Sequence, residues 1–393
     1  MPNISYPGVY VEEVPSGGRS IPGVDTTRAA FVGHALKAPA WMEPVRIESL
    51  TAFERDLGGP VEGFRLHGAL RAFFDHGGKQ AIVLPVGPCD GATADPAPLL
   101  AGLERIGREA GPNLLLVPDA LRLSRDDYHA VVQAMLAQCA QLKDRFAILD
   151  VHGGDDSAAR SLAGSAPLLA AFRAAIAPLG GARAFGAAYY PWLVDSAGSA
   201  LPAAPAVAGL VARTDIERGV WKAPAGIEAS VRVADVAVRY TDRQQQEVGA
   251  PVSEPAINLI RRFAGKGVVV WGARTLAAEG GDWRYVSVRR TAIFIEQSIS
   301  QGLQWAVFEP NEIQTWQQVR RSVENFMFTL FRQGAFQGMK PQDAYYVACG
   351  LGATMSQDDV EGGRLIVEIG FAPMRPAEFV IIRITLTMCA PGG

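Results

Sequence analysis

Apolar positions along the chain fall into short runs separated by stretches of helical spacing. Ala29-Ala30-Phe31-Val32-Gly33, Ala81-Ile82-Val83-Leu84, Leu114-Leu115-Leu116-Val117, Arg145-Phe146-Ala147-Ile148-Leu149-Asp150 and Ala187-Ala188-Tyr189-Tyr190 read as buried strands. Between them the pattern turns amphipathic. A helix over 49–57 takes Ser49 as N-cap and stops at Gly58-Gly59. A second, over 66–75, carries Leu66, Leu70, Phe73 and Phe74 on one face. Ser124 caps a helix running to about Leu142, and another follows near 157–176. This alternation predicts an α/β fold with a mostly parallel layered sheet.

Past residue 195 the rhythm loosens. Residues 195–205 read as a loop, with helices expected near 207–216 and 255–264. Gly265-Lys266-Gly267 then reads as a helix C-cap leading into the strand Val268-Val269-Val270-Trp271. A long helix is predicted over 286–301, a strand over 304–308 and a helix over 312–334. The region from Ala344 is β-rich, with strands at 365–369 and 378–388. The predicted layout is an N-terminal strand arm (1–20), an α/β domain (21–265), a C-terminal α+β domain (266–375) and a C-terminal strand arm (376–393).

The two extremities differ from the rest. Val9, Tyr10, Val11 and Val14 form a strand-like stretch between Pro7 and Pro15-Ser16-Gly17-Gly18. Phe379, Val380, Ile381, Ile382, Ile384 and Leu386 form another, between Pro376 and Pro391-Gly392-Gly393. An isolated strand leaves backbone donors and acceptors unsatisfied and must find a sheet. Ten extended residues reach roughly 33 Å, enough to leave one subunit for the next. Both arms are therefore expected to add to sheets of neighbouring copies, with Pro15, Gly17, Gly18 and Pro376 in the linkers.

Composition narrows the function. At 393 residues, 49% hydrophobic and 20% charged, the chain can bury two domain cores. A net charge of −3 and a pI near 6.0 argue against nucleic acid as the main partner. Cys89, Cys139, Cys349 and Cys389 lie far apart without CxxC spacing, so reduced thiols are expected rather than a zinc or redox motif. The first residues have neither a basic start nor an apolar core, so no signal peptide is expected. Apolar runs fall short of about 18 residues, so no membrane span or membrane insertion is expected.

Candidate chemistry is sparse. Asp150, His152 and Ser165 raise an α/β hydrolase as the alternative function, but GxSxG is absent. A nucleotide-binding module would use Gly265–Gly267, yet Phe263-Ala264-Gly265-Lys266-Gly267 lacks GxxxxGK[ST]. His34, His67, His76 and His129 lack metal-pair spacing. Asp126-Asp127, Asp155-Asp156 and Asp358-Asp359 read as helix caps and solvated loops. Trp305, Trp316, Phe326, Phe328 and Phe331 read as core. No catalytic residue, cofactor or metal is expected.

Six motifs are more specific. Tyr6-Pro7-Gly8-Val9-Tyr10-Val11-Glu12-Glu13, Arg218-Gly219-Val220-Trp221-Lys222-Ala223-Pro224-Ala225, Val270-Trp271-Gly272-Ala273-Arg274-Thr275-Leu276, Tyr285-Val286-Ser287-Val288-Arg289-Arg290, Phe308-Glu309-Pro310-Asn311 and Pro376-Ala377-Glu378-Phe379-Val380 occur in that order. Together they resemble the contractile tail sheath proteins of phages, bacteriocins and contractile injection systems. The chain departs from the family at Gly226, at Val252-Ser253-Glu254-Pro255 before an Asn-x-x-Arg helix, and at Leu201-Pro202-Ala203-Ala204-Pro205.

The resemblance implies a structural subunit that assembles in the bacterial cytoplasm as stacked hexameric rings on a baseplate. The rings enclose an inner tube beneath a terminator or cap protein, and contraction drives the tube through a membrane. It also implies a non-catalytic, subtilisin-like region over about 91–265. A helix of the C-terminal domain should grip the tube by charge, which nominates Arg320, Arg321, Glu324 and Arg332.

Overall fold

A computed structural model describes residues 19–90, 94–156, 160–249, 254–277, 281–374 and 380–387. The chain divides into two compact units, one formed by Gly23–Gln297 and the other by Met1–Pro22 with Ser298–Gly393.

The larger unit is built on twelve strands: β1 (Ala29–Ala35), β2 (Val45–Ile47), β3 (Ala81–Pro88), β4 (Leu114–Leu116), β5 (Phe146–Asp150), β6 (Gly186–Tyr190), β7 (Leu193–Val194), β8 (Ala200–Leu201), β9 (Ser230–Val231), β10 (Asp235–Val236), β11 (Ile257–Phe263) and β12 (Gly267–Val270). Nine form one sheet in the order β2-β3-β1-β4-β5-β6-β11-β12-β9. The pairings from β3 through β1, β4, β5 and β6 to β11 are parallel, while β2, β12 and β9 are antiparallel to their neighbours. Every residue of β5 and β6 is buried. Alternate residues of a strand point to opposite faces, so both faces of the sheet are covered, as parallel sheets require.

The helices of this unit are α1 (Leu50–Leu57), α2 (Leu66–Asp75), α3 (Pro96–Ile106), α4 (Arg125–Leu142), α5 (Leu162–Ile176), α6 (Ala204–Arg218) and α7 (Asp242–Gly249). An eighth, α8 (Val286–Gly302), contains the division between the units. Local chemistry sets several boundaries. Ser49 Oγ accepts from Ala52 N at the start of α1, and Ser124 Oγ from Asp127 N at the start of α4. The stretch Leu162–Phe185 has the mean hydropathy of a membrane span, 1.5. Its α-helix stops at Ile176, and Gly180 leaves helical geometry. Fifteen residues at 1.5 Å each span about 22 Å, short of a hydrocarbon core of about 30 Å.

Four expectations need correction. Residues 257–263 are strand β11, not a helix. The run is seven residues long and its first five are buried, a pattern that does not distinguish strand from helix. Gly265-Lys266-Gly267 is accordingly no helix C-cap but the turn of the β11–β12 hairpin, with Gly265 at φ 72° and Gly267 at φ 78°. Helix α6 begins at Ala204, inside the expected loop, because a proline in the first turn, here Pro205, starts helices as readily as it breaks them. The expected strand at 304–308 is a 3-10 helix continuing from α8, with Ala306 N donating to Leu303 O.

The second unit holds α9 (Ile313–Arg332), α10 (Pro341–Ala344), β13 (Tyr345–Cys349), α11 (Gln357–Glu361), β14 (Arg364–Phe371) and β15 (Val380–Thr387). The three strands form an antiparallel sheet in the order β13-β14-β15. The N-terminal arm residues Val9, Tyr10, Val11 and Val14, its linker residues Pro15, Gly17 and Gly18, and Pro376 and Phe379 lie outside the described residues.

Candidate functional site: assembly surfaces

The motifs resolve into packing devices. Asn258 on β11 donates from Nδ2 to Arg274 O at 2.7 Å and accepts from Arg274 N at 2.7 Å. A Cβ on Gly272 would stand 2.8 Å from Asn258 Oδ1, so the Trp-Gly-Ala-Arg motif needs its glycine for that clasp. Gly219 ends α6 at φ 90°, where a Cβ would collide with the Trp221 ring at 2.4 Å. Arg290 makes a bidentate pair with Asp215, at 2.8 and 2.7 Å, and donates to Thr26 O. Both side chains are almost wholly buried, so α6, α8 and the segment before β1 share one ion pair.

The residues considered for hydrolysis are not brought together as a triad. His152 Nε2 lies 2.9 Å from Leu123 O, and Ser165 Oγ donates to Leu162 O and meets the Tyr240 hydroxyl at 2.8 Å. Asp150 instead caps α6, its Oδ1 accepting from Ala203 N and Ala204 N at 2.6 and 2.9 Å. Burial pushes its carboxyl up to about 7, against the pull of those two hydrogen bonds. Nothing in the sequence marked Asp150 as the cap of a helix fifty residues away. The paired acids are structural where a partner is seen. Asp127 and Asp359 sit in first turns capped by Ser124 and Ser356, and Asp155 pairs with Arg65. Cys89, Cys139 and Cys349 are free thiols, each pushed up to about 12 chiefly by burial.

In the second unit, Asn311 fixes the start of α9. Its Oδ1 accepts from Trp316 Nε1 at 2.7 Å, and its Nδ2 donates to Val360 O and Arg364 O. The helix ends in a Schellman turn, Ala335 N bonding Leu330 O with Gly334 at φ 77°. Trp316, Val319, Val323, Phe326, Met327 and Leu330 face inward at helical spacing. The nominated charges divide. Arg320 is paired with Glu324 at 2.8 Å, both ends accessible, whereas Arg321 and Arg332 form no ion pair with the described residues. Arg321, Asn325, Phe328 and Arg332 form one exposed stripe, four, three and four residues apart. Phe328, expected in the core, is 43% exposed.

The sheet beside α9 bears on the C-terminal arm. β15, with Val380, Ile381, Ile382, Ile384 and Leu386, lies on β14 of its own chain, Leu386 opposite Leu365 and Val380 opposite Phe371. In the isolated chain this segment therefore completes its own sheet. β13 and β15 are the sheet's two edges, each with one side free of strands among the described residues.

Comparison with known proteins accounts for these features. Residues 99–276 match the phage tail sheath protein central domain, and residues 279–387 match the phage tail sheath C-terminal domain. A chain in the anti-feeding prophage (AFP) baseplate structure is 35% identical, with a TM-score of 0.73 over 98% of this chain and 100% of that one. A chain of the PVC sheath complex, an extracellular contractile injection system in the contracted state, is 28% identical, with a TM-score of 0.70 over 98% of each. The tail sheath protein of Enterobacteria phage T4 is 26% identical over 127 residues. That stretch is 32% of this chain and 19% of the phage protein, so the match spans about a fifth of the curated relative. The chain belongs to the phage tail sheath family and is a contractile sheath subunit of a phage tail or tail-like particle, a structural protein rather than an enzyme.

Proposed function

We propose that copies of this chain stack as hexameric rings around an inner tube, between a baseplate and a terminator or cap, and contract to drive the tube through a target membrane. The observation that carries this reading is the match along nearly the whole chain to a subunit of a contracted sheath complex. Assembly takes place in the bacterial cytoplasm, before the particle is released. The domain layout expected from sequence, an arm at each end of an α/β and an α+β domain, serves such a polymer.

The couplings between subunits are strand exchanges. β15 occupies the β14 edge in the isolated chain, and the same segment from another copy fits that edge in the same register, as in a domain swap. The N-terminal strand adds to an open edge of the three-stranded sheet. Each main-chain hydrogen bond contributes only about 0.5–1.5 kcal/mol, so several in series make a joint that outlasts rigid-body rotation. Residues 15–18 and 374–376 are the hinges.

The α9 stripe of Arg321, Asn325, Phe328 and Arg332 faces the inner tube. Exposed charge contacts are worth about 0–1 kcal/mol each, which suits a grip that repeats along a polymer and must release. The work of contraction comes from a metastable packing relaxing into a second lattice.

Electron microscopy of purified protein tests the assembly, and ringed tubes are expected. Deleting residues 1–14 should leave a folded monomer that forms no sleeve. Full-length sleeves from the truncated protein would sink the exchange. Reversing Arg321 and Arg332 to Glu should abolish co-assembly with the tube while sparing sheath self-contacts.

A further inference from the structure

Arg289 and Arg290 are adjacent on α8 and almost equally buried, at 6% and 4% exposed, but their surroundings are opposite. Arg290 has a bidentate carboxylate and a carbonyl. Arg289 has two aromatic rings. Its guanidinium carbon lies 3.7 Å from the centre of the Phe185 ring and 4.3 Å from the centre of the Trp283 ring. No ion pair or hydrogen bond to its guanidinium is formed by the described residues, and Nε is enclosed without an acceptor. Glu296, two turns along the same helix, is the acid that acts on it through space. Burial raises that carboxyl, and Lys143 competes for its charge.

A desolvated cation with rings at its flanks keeps one favourable approach, edge-on in the guanidinium plane. That is the approach of a carboxylate to an arginine fork. Arg289 also lies in the first turn of α8, its N donating to Tyr285 O, and the positive end of a helix dipole favours an anion there. A buried cation with no hydrogen-bonded carboxylate among the described residues is a poor stabilising device for a lone subunit. Replacing such a group by an apolar one of similar volume tends to leave stability unchanged or raise it.

We propose that Arg289, clamped by Phe185 and Trp283, is a carboxylate socket that an Asp or Glu side chain of a second copy of this chain enters on assembly. The inference rests on the sheath reading above and names one lattice contact within it. With only 6% of Arg289 exposed, the site can be reached by a side-chain tip rather than by a flat surface. In the free subunit the cation has the two rings and the through-space charge of Glu296 but no hydrogen-bonded carboxylate among the described residues, and in the polymer it gains one. The socket therefore favours the assembled state without stabilising the monomer.

The test uses the full chain, as wild type, R289M and R289K. The expected result is an R289M monomer that melts no lower than wild type but gives at least tenfold fewer tubes by sedimentation and electron microscopy. Treating R289K tubes with a zero-length carbodiimide should join position 289 to an Asp or Glu of another copy, and the same treatment of monomers should not.

Tubes from R289M at wild-type yield would overturn the socket, as would cross-links confined within one chain. An R289M monomer that melts several degrees below wild type would mark Arg289 as a structural cation and also overturn it. Sodium phosphate at constant ionic strength provides a further arm. A saturable change in Trp283 fluorescence that is lost in R289M would assign the site to a free anion instead of a second copy. Wild-type protein that forms no tubes would remove the sheath assembly and the socket together, whereas wild-type tubes with an indifferent R289M would remove the socket alone.

Discussion

Two of the three sheets formed by the described residues, the nine-stranded sheet and the three-stranded β13-β14-β15 sheet, treat their edges differently. The nine-stranded sheet ends in β2 and β9, strands of three and two residues that offer little backbone to an intruder. Its interior is closed by devices such as the Asn258–Arg274 clasp and the Asp215–Arg290 pair, which satisfy their groups within the unit. The three-stranded sheet ends instead in strands of five and eight residues. Large apolar side chains stand exposed in its unit, with Phe308 at 84% and Met339 at 96%. The larger unit exposes apolar side chains as well, Ile216 at 54% and Ile227 at 58%, so what separates the regions is their sheet edges: short strands close one, and longer strands without strand neighbours among the described residues bound the other, where the proposed exchange would act.

The sharpest way to break this contrast is to remove residues 375–393. β14 loses one of its two partners, β15, along its whole length and keeps β13, and sedimentation should show no polymer at any concentration. The larger unit should keep its own cooperative thermal transition by circular dichroism. Loss of that transition would mean the two regions are not energetically separate.

The next largest effect lies inside the larger unit. Asp215→Leu leaves Arg290 buried without its carboxylate, which costs about 3–5 kcal/mol in denaturant unfolding. The double variant D215L/R290M should recover most of that loss. A double variant as weak as the single would show that the pair is held for something other than charge balance.

Asp150 gives a pH-dependent test. Its folded pKa is raised to about 7, above the usual carboxylate value, so the folded state holds a proton that the unfolded chain has already released. Stability from this group is present in full below about pH 4, falls as pH rises toward 7 and is flat beyond. At 1.36 kcal/mol per unit the fall is at most about 4 kcal/mol. Asp150→Asn keeps an oxygen for the amides of Ala203 and Ala204 and should erase the slope in melting temperature between pH 4 and 7.

These tests fall where sequence reading succeeded unevenly. The early strands were legible because short apolar runs alternate there with amphipathic helical stretches, the rhythm of a layered parallel sheet. Ser49 and Ser124 were legible because capping is local. Ile257–Phe263 was not, since seven mostly buried residues satisfy helix and strand patterns alike and only the neighbouring β6 decides. The start of α6 was hidden by Pro205 and by the burial of Ala204–Ala212 on all sides, which erases amphipathic spacing. The terminal strand was visible as a strand, but a sequence carries no record of which edge it takes. The different fates of Arg289 and Arg290 depend on Phe185 and Asp215, residues about 75–104 positions away.

The smallest effect concerns the grip. Arg320 and Glu324 form an exposed pair at the (i, i+4) spacing, beside the stripe of Arg321 and Arg332. Solvent screens such pairs, so Glu324→Ala should change monomer stability by no more than about 0.3–0.5 kcal/mol. Its effect on tube binding should have the opposite sign, because an unpaired Arg320 would join Arg321 and Arg332, which form no ion pair with the described residues, on the same helix. Co-sedimentation with the tube across a salt series separates the two readings. If α9 grips an acidic tube, the variant binds more tightly and depends more steeply on salt. Unchanged binding would detach the α9 stripe from the tube and leave the three-stranded sheet as the whole of the assembly surface in that unit.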